Sequence, residues 1–312
     1  MARRDLGLAA AAATAALAVY VLTLAPGLIA ITDTPKFQFI GRILGTAHPP
    51  GYPLYVLVSH VFGYVPIGSL AYRINLMSAV SGALACGAMF LAMRLLGVGR
   101  LVAGAGVLAA AFGSTMWYVS TIAEVYALNA ALVVAATVAL LLWRQSRRAA
   151  WFFAAVAIVG VSLGNHTTTV FLIPATAAFA LLESPRFAVR PQTIALSAAI
   201  VAIALLQYLF VLVRSLHGAW VESPVSNLTE LAGVMVGSAY FHDVMPEGVG
   251  PFLTRLVPSV WRMFERLEAP NTIDLMAFWP QTYSSASRAG SAPEANTDMA
   301  TGRKRRVAIA RS

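Results

Sequence analysis

The chain has 312 residues, of which 59% are hydrophobic and 11% charged, with 22 Lys and Arg against 13 Asp and Glu. Soluble domains carry about 25% charged and about 45–50% apolar residues, so this composition excludes a water-soluble enzyme, a disordered chain and a nucleic-acid-binding module. It reads as an all-α polytopic membrane protein, and its single cysteine, Cys86, excludes an intrachain disulfide or a four-cysteine zinc site.

About 20 apolar residues cross a bilayer as a helix. Seven such spans are read in chain order, at residues 8–29, 76–96, 101–118, 127–143, 150–163, 168–182 and 193–213. The first follows Arg3 and Arg4 and reads as an uncleaved anchor, because its apolar run is long and no A-x-A site follows it. In this topology Arg3, Arg4, Arg94, Arg100, Arg144, Arg147, Arg148, Arg186 and Arg190 fall on one side. Lys36, Arg42, Arg73 and Arg214 fall on the other. The positive-inside bias then puts the N-terminus in the cytoplasm and the segment after span seven outside. The net charge of +9 is therefore topological, and no nucleic-acid partner is expected.

Reactive groups collect at the external ends: Asp33, Lys36, His48, Arg73, Glu124, Asn165, His166 and Arg214. The loop after span one is roughly 45 residues long, far more than a helical hairpin needs. In it, Thr32-Asp33-Thr34-Pro35 reads as a helix start, with an N-cap candidate and then proline in the first turn. Phe37, Ile40 and Leu44 recur at helical spacing and Gly45 is the stop, which predicts a short amphipathic helix on the outer membrane surface. The stretch TAHPPGYPLY and a second apolar segment at 54–64 follow. From pattern alone, Asp33 is either an exposed cap or a general base, and His48 is either a hydrogen-bonded turn residue or a substrate ligand.

Glu124 opens span four, where a carboxylate favours the helix dipole or orients an arginine or an acceptor. Asn165-His166 join two apolar segments of about 14 and 15 residues, which reach only about 22 Å against roughly 30 Å of hydrocarbon. The turn is thus expected to sink into the membrane and, with Thr167, to line a cavity. Arg214 either snorkels or binds substrate. The chain reads as a transmembrane domain (1–214), an external membrane-adjacent segment (215–274) with an amphipathic helix at 251–267, and a disordered basic tail (275–312). His242-Asp243 is too short a pattern to make a metal site, and no Walker A, GxGxxG or HExxH motif occurs.

Asp33, Phe37, Leu44-Gly45, AHPPGYPLY (with Pro49, Pro50, Gly51, Tyr52, Pro53 and Tyr55) and Arg73-x-Asn75-Leu76-x-Ser78 stand in one run. Trp117, Ala123-Glu124-Val125-Tyr126-x-Leu128-Asn129 and Gly164-Asn165-His166 continue it, and Arg214, Trp220 and Tyr240 extend it more loosely. Over roughly residues 25–240 the chain resembles the family labelled domain of unknown function 2723. That family includes the transmembrane protein 260-like protein O-mannosyltransferases, which are GT-C glycosyltransferases.

The resemblance implies a GT-C-like bundle and an inverting transferase. A sugar such as mannose would pass from a polyprenyl-phosphate donor to an external protein or glycan acceptor. Asp33 would be the general base. Among candidates for the donor phosphate, Arg73 and Arg214 rank above His48 and His166, since guanidinium grips phosphate in bidentate fashion. The family usually carries an acidic residue three positions after the aspartate. Lys36 stands there instead, either depressing the Asp33 pKa or contacting the phosphate. No cofactor is expected, and a divalent metal is left open. The implied location is a bacterial inner (plasma) membrane with the site external. Family members usually continue with further spans and a soluble region, so the odd tail predicts truncation or a frame shift. Two other readings stand beside this one: a lipid-linked-sugar flippase, and a catalytically degenerate GT-C fold.

Overall fold

In lipid, a backbone must satisfy its own hydrogen bonds, and a single chain without a closed barrel does so as α-helices. The computed structural model describes residues 2–217 and 220–238, with 250, 251, 254 and 258. It is helical, and among the described residues the one extended pairing is an isolated parallel bridge between Thr46 and Val221. The chain divides into two compact units, Met1–Pro246 and Glu247–Ser312. In the second, Thr254 donates to the Pro251 carbonyl at 2.9 Å. Tyr240, His242-Asp243, most of 251–267 and the 275–312 tail lie outside the described residues.

The first unit begins with α1 (Arg3–Leu22), α2 (Thr34–Ile40), α3 (Pro53–Phe62) and α4 (Leu70–Leu95). It continues with α5 (Arg100–Ala111), α6 (Ser114–Thr121), α7 (Val125–Ser146) and α8 (Ala149–Ser162). A 3-10 turn at Thr167–Phe171 leads into α9 (Leu172–Glu183) and α10 (Pro185–Ala188). Then come α11 (Pro191–Leu205), α12 (Leu209–His217) and α13 (Leu228–Val236).

Among the described residues, four helices are long and apolar enough to cross a membrane: α1, α4, α7 and the joined stretch Pro191–His217. The pair α5 and α6 makes a fifth if taken as one broken span. In Pro191–His217 only 11% of the apolar window is buried. An apolar surface that large, left uncovered by protein, belongs in lipid. The chain is an integral membrane protein.

Several predicted boundaries move, each for a local reason. The first span does not run to 29; α1 ends at Leu22, ahead of Pro26-Gly27. The third predicted span is not one rod. It breaks at Gly113, whose extended backbone (φ −62°, ψ 142°) separates α5 from α6 at a 60° bend. The fourth element begins six residues early because the Ser69 hydroxyl caps it, accepting from the Tyr72 N–H at 3.2 Å. Helix α2 ends at Ile40, before Gly45, and its apolar face is covered. Phe37 and Ile40 are buried with Tyr55, Val56, Ile74, Met77 and Ala123 in one cluster, so its apolar face meets protein rather than lipid.

Helix α4 is central, and its small residues let neighbours approach closely. A Cβ added at Gly87 would lie 3.1 Å from the Ala9 carbonyl and the Ala13 side chain of α1. A Cβ at Gly82 would lie 2.1 Å from Ser120 Oγ and 3.2 Å from the Tyr20 ring. Gly82→Leu is therefore expected to cost about 1–3 kcal/mol through overpacking, read as a lowered thermal midpoint of the purified protein. An unchanged midpoint would show that α4 and α6 do not pack this closely.

The two ends of the bundle differ in chemistry. At one end Asp5 Oδ1 accepts from Arg94 Nε at 3.1 Å and Arg100 Nε at 2.7 Å, tying α1, α4 and α5. Arg144 and Arg147 pair with Glu183 at 3.0 and 3.3 Å, and Gln145 donates to the Leu95 carbonyl at the same end. The opposite end carries the loop between α1 and α4. There a buried amide pair fixes that loop: Gln38 Nε2 donates to Asn75 Oδ1 (3.0 Å) and the Gly27 carbonyl, and Asn75 Nδ2 donates to the Ala25 carbonyl.

Candidate active site

Asp33 sits immediately before α2, in a turn that Thr32 enters with φ 50°. A left-handed β-branched residue is costly unless its surroundings hold it. The hold here is Glu124, 5% exposed, whose Oε1 accepts from Thr32 Oγ1 at 2.7 Å and Thr34 Oγ1 at 2.9 Å. One carboxylate oxygen thus grips the hydroxyls on both sides of Asp33. Burial holds the Glu124 carboxyl above the ordinary carboxylate value, and the two threonine hydroxyls offset only part of that rise. Glu124 occupies the N-cap position of α7, yet its side chain caps nothing there.

Asp33 likewise stands at a cap position without capping. Its carboxylate, 48% exposed, turns to Lys36 and His48 instead. Lys36 is the hub, only 13% exposed. Its ammonium lies 3.1 Å from Asp33 Oδ1, 2.6 Å from His48 Nδ1, and 3.0 and 3.2 Å from the two oxygens of Glu222. An ammonium has three protons and no acceptor, so each proton has a partner. Because Lys36 can only donate, His48 Nδ1 accepts and the ring proton sits on Nε2. That nitrogen faces Tyr52 Oη at 3.2 Å and Asp33 Oδ2 at 3.6 Å. Burial holds the imidazole below the ordinary histidine value. Lys36 adds to this, while Asp33 and Glu222 oppose it.

The PPGYP stretch shapes the other wall. Pro49-Pro50 is cis, Gly51 takes φ 82° and Tyr52 takes φ 49°. A tyrosine in the left-handed region costs on the order of 1–3 kcal/mol. Its ring packs edge-on against Phe37 at 5.4 Å and His48 at 5.2 Å, which holds it there. Pro53 starts α3, whose fixed φ suits the first helical position. Tyr55, in the first turn, is fully buried 4.8 Å from the Phe37 ring, with its hydroxyl unpartnered among the described residues.

The remaining predicted residues are placed differently. Arg73 donates from all three nitrogens to the Ile67, Gly63 and Gly68 carbonyls. Arg214 donates to the Leu44 and Ile43 carbonyls at 2.7 and 3.1 Å. Both guanidiniums brace loop backbone. Asn165 is fully buried and donates to the Val125 carbonyl at 3.1 Å, next to Glu124. His166 packs 5.6 Å from the Tyr126 ring and holds Thr168, and burial lowers its pKa. An apolar cavity of about 510 Å³ lies between α8, α9 and α11, lined by Val156, Ile173, Thr176 and Ser197 and by none of the Asp33 cluster.

Sequence reasoning did not single out Glu222. It reaches the site because the segment after α12 lies along the loop. Thr46 N donates to the Trp220 carbonyl (2.9 Å), Glu222 N donates to the Thr46 carbonyl (3.1 Å), and the Trp220 ring meets Phe39 at 5.2 Å. The His48 N–H then donates to Glu222 Oε2 at 2.9 Å.

Residues 33–190, which begin at the aspartate of this cluster, match the family described as Protein O-mannosyl-transferase TMEM260 N-terminal domain. The chain belongs to that family. Protein O-mannosyl-transferase TMEM260 of Mus musculus is 36% identical to it over 165 residues, 50% of this chain and 23% of that relative. The chain thus covers less than a quarter of the length of that relative. No solved structure matches. Within the family match lie Asp33, Lys36, His48, Tyr52, Arg73, Glu124, Asn165 and His166; Arg214 and Glu222 lie beyond it.

Proposed function

We propose that the chain is an inverting glycosyltransferase of the GT-C type, built on seven crossings with the Asp33 end of the bundle external. It would move a sugar, mannose by family analogy, from a polyprenyl phosphate to an acceptor hydroxyl outside the cytoplasm. The observation that carries this reading is the Asp33 carboxylate. It is exposed at the rim, held from behind by Glu124 through two threonines, and set beside a cation within a family-matched segment.

The chemistry follows from these groups. Asp33 Oδ2, the oxygen turned away from Lys36, takes the proton of the acceptor hydroxyl. The acceptor oxygen forms a bond to the anomeric carbon while the bond from that carbon to the phosphate oxygen breaks. The electron pair leaves on the polyprenyl phosphate and the proton stays on Asp33. A base must lie within hydrogen-bond reach of the hydroxyl, and the leaving phosphate needs fixed positive charge. Lys36 suits the second task by position, since its ammonium lies 3.1 Å from Asp33, whereas the bonds of Arg73 and Arg214 run to loop carbonyls. His48, with its Nε2 proton toward Asp33, orients the carboxylate.

A flippase would need polar groups at mid-membrane depth. The cluster's place in the loop before α4 favours transfer at a membrane face. The test is direct: the purified chain in nanodiscs, given polyprenyl-phosphate mannose and a serine- or threonine-containing acceptor peptide, should yield mannosylated peptide by mass spectrometry. Donor hydrolysis without peptide product, or no turnover at all, would reject it.

A further inference from the structure

The donor-phosphate reading leaves a physical difficulty at Lys36. All three ammonium protons have acceptors, and two carboxylates around one ammonium leave a net negative charge. A phosphate arriving here would find no open donor and an unfavourable field. One of the three acceptors has to leave.

Asp33 is fixed between two threonines bonded to Glu124, and His48 is packed against Tyr52. Glu222 is held otherwise. Its segment is not helical and lies on the loop through the single bridged residue Thr46, with its side chain 37% exposed. Its two oxygens straddle Lys36 Nζ, and one also accepts the His48 backbone N–H. An ammonium with a backbone N–H aimed at the same oxygen is a donor set that equally suits a phosphate oxygen.

We infer that Glu222 is the resident occupant of the donor-phosphate subsite formed by Lys36 and the His48 amide, and that the phosphate of a prenyl-phosphate ligand binds by displacing it. This rests on the donor class proposed above. When Glu222 swings out, the remaining Asp33 and Lys36 charges cancel and one ammonium proton becomes available. The carboxylate therefore sets the threshold for donor entry: anions that bind Lys36 weakly do not evict it. Glu222 acts as a specificity-determining residue, not as a base or nucleophile.

The experiment measures equilibrium binding of farnesyl phosphate, a short and soluble prenyl phosphate, to the full chain in zwitterionic nanodiscs, with empty nanodiscs subtracted. Glu222→Gln keeps the shape and removes the charge, and is expected to bind about fivefold or more tighter than the parent. Glu222→Asp draws the carboxylate back by one methylene, carries little risk to folding, and should fall between the two. Adding Lys36→Met to Glu222→Gln should erase the gain. Equal or weaker binding in both Glu222 variants, with parental melting temperatures, overturns the inference alone. No binding by any of the proteins overturns it together with the prenyl-phosphate donor. A transfer assay that fails while the binding order holds would count against the Asp33 base and leave Glu222's role standing.

Discussion

Asp33→Asn is expected to lower the turnover of sugar transfer by about 10²–10⁴-fold, the range that a positioned general base contributes. Asparagine keeps the size of the side chain and an oxygen that accepts from Lys36, so the cluster at 3.1 Å should persist. The Thr32 and Thr34 bonds to Glu124 do not involve the substituted atoms. Thermal midpoint should therefore change little and donor KM should not rise, since a carboxylate charge beside Lys36 is removed, while kcat falls. Initial rates at saturating donor measure this. A variant retaining more than about a tenth of parental kcat would remove Asp33 from the role of base.

Lys36→Met should act on the other side of the bond. Losing one electrostatic donor from a developing oxyanion costs about 2.7–4 kcal/mol, or about 10²–10³ in rate. Here kcat/KM for the donor is expected to fall by that order, with donor KM raised, which distinguishes it from Asp33→Asn. Methionine leaves Asp33 and Glu222 without the cation between them, so part of the loss reflects repulsion between two carboxylates. Lys36→Met with Glu222→Gln removes that part and should recover some kcat while leaving KM high. Lys36→Arg keeps charge but changes the shape of the donor set and should be intermediate. If kcat/KM is insensitive to Lys36→Met, the phosphate is held elsewhere.

Sequence patterns made the helices legible because lipid demands them. Length and apolarity locate α1, α4, α7 and Pro191–His217 without reference to any neighbour. The break at Gly113 was hidden because hydropathy averages across one extended glycine. The burial of α2 was hidden too, because Phe37 and Ile40 look the same facing lipid or facing Ile74 and Met77. At the site, Asp33 stood out from its turn chemistry and its motif. Glu124's function as a brace for Thr32 and Thr34 did not, since no periodicity links position 124 to 32. Arg73 and Arg214 look like phosphate ligands by side-chain type. Which acceptor a guanidinium meets is decided by loop carbonyls that composition does not reveal. Glu222 was the least legible, 186 residues from Lys36 and beyond the matched family segment.

The pairing of Thr46 with Val221 has a consequence for the order in which the protein is made. A nascent chain that has emerged only as far as residue 190 already carries Asp33, Lys36 and His48, but the loop bearing them has nothing lying along its edge. Its Thr46 amide and carbonyl find their partners only once translation has passed the long helix Pro191–His217 and reached Glu222. Maturation of the loop is thereby tied to insertion of the helix Pro191–His217, so a half-inserted intermediate would hold Asp33 in an unfinished setting.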